Sequence, residues 1–276
     1  MISIQKNPSE LTKLRNAFQS SKNCSENKPG DNRGYQLIAG YHGVPGFHCW
    51  HHLESTRTTL HGRFFLPWHR CYLHDLETKL RDITLDPTIT IPYWDWRFPQ
   101  AGKETDKDDY DEVSELPKSY AEQTYENGKP NPLFNSKISM LDETTTRKRN
   151  KRLKRPTKDN IDSILKISNF DEFEYQLEQV HDQIHGFVGG SMSIVSQAAF
   201  DPIFWAHHAM IDRIWYQWQI SPMGGINKGF EQLINAPLAP FDLNVGQVLD
   251  IRNLGYMYAG DKATNSGKGG NFKIVA

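Results

Sequence analysis

The placement of histidine constrains this chain more than any other feature. Of eleven histidines, seven fall between His42 and His74 and four between His181 and His208, with none in the long stretch that separates the groups. A fold that uses them together must bring two distant segments to one place. His181 and His185 stand four residues apart, so a helix presents both imidazoles on one face. His208 follows on an apolar segment whose inner face carries Phe204, Ile211, Trp215 and Trp218. In the first group, His69 shares a stripe with Tyr72, Leu73, Leu76, Leu80 and Ile83, while His42 and His61 precede it on less regular segments. A lone histidine on an apolar face is usually a core residue, but six in two matched groups read as a three-plus-three metal site. His48, His51, His52 and His74 lack such spacing and read as surface or loop histidines. His207 points elsewhere on its helix than His208 and reads as packing or as support for a ligand.

The donor type narrows the metal. Neutral nitrogen ligands suit copper, zinc, iron or nickel, whereas magnesium and calcium require oxygen. Six imidazoles without a carboxylate do not match a two-histidine, one-carboxylate iron site. A dinuclear copper site that binds dioxygen is the natural reading.

The remaining sequence describes a helical scaffold. Asn7-Pro8 opens an amphipathic helix through Leu11, Leu14 and Phe18, and Tyr35, Ile38 and His42 begin a second apolar pattern. Residues 47–60 read as a loop, and Pro67 opens a strong helix. A third helix spans about Phe170 to Phe187, and Asp201-Pro202 starts a fourth. Trp68, Trp94, Trp96, Trp205, Trp215 and Trp218 are candidates for its core. The fold class is mainly α: a four-helix-bundle core around the metal site with loop-rich surroundings, in one domain over 1–276. Residues 100–160 form an insertion or flap between the two halves. Its Lys103–Glu126 part has nine acidic and three basic residues, and Arg147–Lys158 has eight basic and no acidic ones. Both read as solvated surface, in contact with each other across the insertion.

Composition removes several classes of function. A net charge of −1 gives no general reason to bind nucleic acid or an anionic membrane, and no apolar run reaches the ~18 residues of a spanning helix. The opening MISIQKNPSELTKLRN lacks the apolar stretch of a secretory signal. Three cysteines (Cys24, Cys49 and Cys71) make no disulfide framework, so the expectation is a cytoplasmic location.

FLPWHR (Phe65 to Arg70) and DPIFWAHH followed by IDRIW (Asp201 to Trp215) resemble the two copper signatures of the tyrosinase and polyphenol oxidase family. IPYWDW, the His181/His185 pair before Gly189-Gly190, and Gly255-Tyr256-Met257-Tyr258 resemble further stretches of that family. The resemblance spans residues 42–258 and implies a four-helix bundle with two type-3 copper ions. It assigns His42, His61 and His69 to the first copper and His181, His185 and His208 to the second. It implies dioxygen and a phenolic small molecule as reactants: ortho-hydroxylation of monophenols and oxidation of o-diphenols to o-quinones, or the second step alone, as in a catechol oxidase. A copper-delivery chaperone is a further partner that the resemblance admits. Glu178 and Asp182 fall where the family holds a glutamate and an asparagine around a water that takes the phenol proton. Val195 matches a position at the substrate entrance.

Some positions depart from the family. His61 and His69 are eight apart where nine is usual, and Thr59 stands where many members carry a crosslinked cysteine. Asp182 replaces the asparagine. Three other readings compete. Oxidation of o-aminophenols has no discriminating residue. A hemocyanin-like oxygen carrier is disfavoured by the length of the chain. A zinc hydrolase built on His181-Asp-Gln-Ile-His185 leaves the whole first histidine group unexplained.

Overall fold

The computed structural model describes residues 8–46, 62–97, 115–258 and 273–275. Its helices are α1 (Pro8–Asn27), α2 (Tyr35–Gly40), α3 (Phe65–Thr84), α4 (Lys118–Ala121), α5 (Lys158–Ile164), α6 (Phe170–Val188), α7 (Val195–Ala198), α8 (Ile203–Gln219) and α9 (Val245–Val248). Four are long, and these build the bundle: α1 packs on α3, α3 on α8, and α6 on α8. Sheet structure is confined to three two-stranded pairs among the described residues. β1 (Thr124–Tyr125) with β2 (Lys129–Pro130) and β3 (Lys137–Ile138) with β4 (Glu143–Thr144) are antiparallel, while β5 (Tyr256–Tyr258) with β6 (Lys273–Val275) is parallel.

Local chemistry explains where the long helices begin. Pro67 lies in the first turn of α3, where a missing backbone N–H costs nothing. The Asn169 side chain accepts the Glu172 N–H at 2.9 Å and caps α6, and Asp171 and Glu172 favour its positive end. Asp201 Oδ1 accepts the Ile203 N–H at 3.1 Å at the start of α8. Every residue of α8 except Gln217 is buried, so this helix is the centre of the bundle rather than a surface helix with one apolar stripe. The six tryptophans expected in the core are all fully buried.

Most charged side chains of the two runs are solvated, as expected (Glu115, Glu122, Lys148, Lys151, Arg152 and Lys154 are exposed), but the described part of the insertion packs onto the core and does not stand off as a flap. Leu116, Tyr120, Leu133 and Ile138 are buried within the common core. Arg147, from the basic run, pairs with fully buried Asp201 at 2.6 Å and so joins the insertion to the base of α8. The acidic and basic stretches do meet, through Glu115 with Arg149 at 3.5 Å and Arg155 at 4.0 Å. The loop expected over residues 47–60 lies outside the described residues.

Candidate metal centre

The bundle brings the two histidine groups together. His69 on α3 stacks on His208 of α8, with ring centroids 4.3 Å apart and planes 13° from parallel. His42, in the turn after α2, lies 5.5 Å from His69 and 6.3 Å from His208. His181 and His185 on α6 are 4.3 Å apart, and His181 lies 4.8 Å from His208. His61 falls outside the described residues, as do His48, His51 and His52. His74 is not a loop residue; it sits half-buried on α3, outside the cluster, and burial lowers its pKa.

Hydrogen bonds fix the tautomer of four rings. Nδ1–H donates to the carbonyl of Val195 from His42 (3.0 Å), of Phe65 from His69 (2.8 Å) and of Met192 from His185 (2.6 Å). His181 Nδ1–H donates to the Asp182 carboxylate at 3.0 Å. Carbonyl and carboxylate oxygens only accept, so each ring carries its proton on Nδ1 and its lone pair on Nε2. Ligating histidines show this arrangement: an outer acceptor orients the ring and raises its basicity as a ligand. Burial lowers the pKa of His185, and burial with neighbouring imidazoles holds that of His208 well below the ordinary value. These rings are therefore neutral at neutral pH, as ligation requires.

The donor set fits a metal. His185 Nε2 is buried and has no hydrogen-bond partner among the described residues. His181 Nε2 and His208 Nε2 are 3.2 Å apart, close to the separation of two nitrogens each about 2.0–2.1 Å from one tetrahedral ion.

Neighbouring contacts hold the histidines in place. A Cβ on Gly43 would fall 2.0 Å from the Ser196 carbonyl, so glycine lets the His42 turn approach the Val195 segment that accepts its proton. Arg70, next to His69, pairs with Asp212 at 2.5 Å, one turn beyond His208. Arg70 also donates to the carbonyls of Val248 and Leu249 and lies 3.6 Å from the Trp215 ring. The Tyr256 and Tyr258 hydroxyls both donate to Asp212 Oδ2. This network clamps α3 to α8 beside the cluster. Arg70, Asp212, Trp215 and Tyr256–Tyr258 all lie in the motifs quoted from the sequence, but their pairing across the chain carried no local signal.

A cavity of about 310 Å³ opens onto the cluster, lined by His42, His181, Asp182, His185, Gly186, Met192, Ser193 and Val195. Val195 is half-exposed at its wall, and its carbonyl accepts the His42 proton. The Asp182 side chain is 59% exposed and lines the same cavity. Glu178 is buried on α6, within one turn before His181. His207, read from the sequence as packing or support, stands inside the cluster: its donor atoms and those of His181, His185 and His208 all lie within 4.8 Å of one another. The near-complete burial of α8 hid this, because no outer face was available to hold His207.

A helical scaffold that converges buried histidines from two halves of the chain defines a histidine-ligated metalloprotein. The description of the common central domain of tyrosinase matches residues 32–221, and the chain belongs to this family of type-3 copper proteins, whose members bind two copper ions. Hemocyanin 2 of Megathura crenulata is 32% identical over 262 residues, covering 82% of this chain but 7% of that protein. The chain thus spans a small fraction of that relative's length. A functional unit of octopus hemocyanin superposes with a TM-score of 0.70 at 27% identity, covering 92% of this chain and 66% of that unit. A tyrosinase from Burkholderia thailandensis gives 0.63 at 18% identity over 95% and 73% of the two chains, a likeness of fold alone.

Proposed function

We propose that the protein is a copper-dependent phenol oxidase that uses dioxygen to hydroxylate monophenols at the ortho position and to oxidise o-diphenols to o-quinones. The cavity beside the histidines carries this reading. At about 310 Å³ it lies at the small end of small-molecule sites, and Gly186 leaves its wall without a side chain. His42, His69, His181, His185 and His208 would hold the two coppers, with His61 as the sixth ligand by resemblance. The bound metals supply the binding and reduction of dioxygen. The chain's own residues orient the ligands and manage the phenol. Val195 and Met192 give the ring an apolar wall, while their carbonyls fix the rings of His42 and His185. A free phenol titrates near ~10, so a carboxylate base helps at neutral pH. Asp182 is the better placed of the two candidate bases because it lines the cavity, and Glu178 backs the same helix from within the core.

Reversible oxygen carriage is the second reading, favoured by the hemocyanin relatives. Since the chain aligns with part of much longer proteins, its length no longer weighs against that reading. Oxygen uptake by the copper-loaded protein, given a simple monophenol and its catechol in parallel, separates the possibilities. Uptake with both supports a tyrosinase, and uptake with catechol alone a catechol oxidase. Reversible oxygen binding without turnover, at two coppers per chain, would overturn the oxidase reading.

A further inference from the structure

His207 has no place in a three-plus-three ligand set, yet it stands among the ligands. We propose that His207 is the fourth ligand of a single-ion state, in which His181, His185, His207 and His208 enclose one Cu(I) or Zn(II) without help from His42 or His69. The inference rests on the reading of the histidine cluster as a metal centre. Its geometric basis is a group of four buried donors on two helices, all within 4.8 Å of one another. The ring of His207 lies 5.1 Å from His181 and nearly parallel to it, 4.9 Å from His185 and 5.2 Å from His208.

The state of His207 itself is the second observation. The residue is fully buried, and neither ring nitrogen makes a well-aligned hydrogen bond among the described residues; the backbone of His181 approaches closely enough to oppose part of the burial shift on its pKa, which leaves the other nitrogen without a partner. A neutral imidazole carries one donor and one acceptor, and buried polar groups nearly always find a partner. His185, by contrast, gives its proton to the Met192 carbonyl. A metal ion would satisfy a nitrogen of His207 that the protein leaves unsatisfied. Nitrogens bound to one tetrahedral ion at about 2.0 Å sit ~3.3 Å apart, so the most distant of the four donors, within 4.8 Å of one another, must close by up to about 1.5 Å. An all-nitrogen tetrahedral set suits d10 ions, which have no geometric preference of their own. The α6–α8 half of the site can then fill alone.

The test uses the apo full chain carrying His69→Ala, which disables the first half, and Zn(II) or Co(II) alone as probe. One ion should bind per chain, with the intense visible bands of tetrahedral Co(II), and X-ray absorption on the Zn(II) form should count four imidazoles. Adding His207→Gln should weaken Zn(II) binding by more than ~100-fold, beyond the ~10–100-fold that loss of an outer support costs, and should abolish the tetrahedral bands. Unchanged affinity and spectrum in the double variant would overturn the proposal, as would a count of three imidazoles. If His207→Gln does not fold, the absorption count decides, because it is made on a chain that keeps His207. Failure of the wild-type chain to bind either ion would instead refute the metal-centre reading beneath the proposal.

Discussion

At the scale of single residues, the site depends on lone pairs that hydrogen bonds have already aimed. His69 and His208 stack across the interface of α3 and α8, so each serves a different half of the cluster. Replacing either with alanine is expected to abolish oxygen uptake while leaving the far-ultraviolet circular dichroism of the helices in place. Retained turnover in either variant would remove that residue from the ligand set. Asp182 has two duties that one substitution separates. Its carboxylate accepts the His181 proton and also faces the cavity. Asp182→Asn keeps an oxygen that can accept from His181 but removes the base. On the reading that Asp182 takes the proton of the monophenol, we expect the monophenol rate to fall by about 10–100-fold more than the catechol rate. Equal losses with both substrates would make Asp182 a positioning residue alone.

At the scale of elements, residues 146–150 cross the C-terminal end of α6 and cap it from outside. Lys148 N–H donates to Val188, Asn150 N–H donates to Phe187, and Arg149 lies over the Phe187 ring. The crossing requires glycine beneath it. Gly190 has φ +60, and a Cβ there would fall 2.2 Å from the Thr146 carbonyl. Gly190→Ala should cost about 2–4 kcal/mol, from left-handed strain and a clash with backbone that cannot easily give. A denaturant midpoint within error of the wild type would show that the crossing segment yields. These contacts also mark where sequence reading stopped. The helical stripes around Phe18, His69, His181 and Trp215 were legible because burial repeats at the helical period. The packed state of Leu116–Arg155 was not, because its dense charge hides the few apolar residues that anchor it, and Arg147 pairs with an aspartate 54 positions away. The ligand pairs within α6 were legible from local spacing. The carbonyls that orient His42, His69 and His185 were not, since any residue type supplies a carbonyl.

At the scale of the whole molecule, the first helix is joined to the centre through the insertion. Lys22 on α1 donates to the carbonyls of Pro132 and Asn135, each at 2.6 Å, and Arg147 continues from there to Asp201 at the start of α8. Burial is the main force on the Lys22 amine and lowers its pKa to about 7, with nearby Asp201 opposing and Arg147 reinforcing the shift. A neutral amine still has two N–H groups, enough for both carbonyls. An unfolded lysine titrates near ~10.4, so between that value and about pH 7 the unfolded chain holds a proton that the folded chain has released. Stability therefore rises with pH across this window and levels off on either side. Urea midpoints measured at pH 6.5, 8 and 9.5 should climb in the wild type, and Lys22→Met should remove most of the climb while leaving the lowest-pH value unchanged or higher. A wild-type slope matched by Lys22→Met would place the titrating group elsewhere, and the joint of α1, insertion and α8 would then hold a charged lysine.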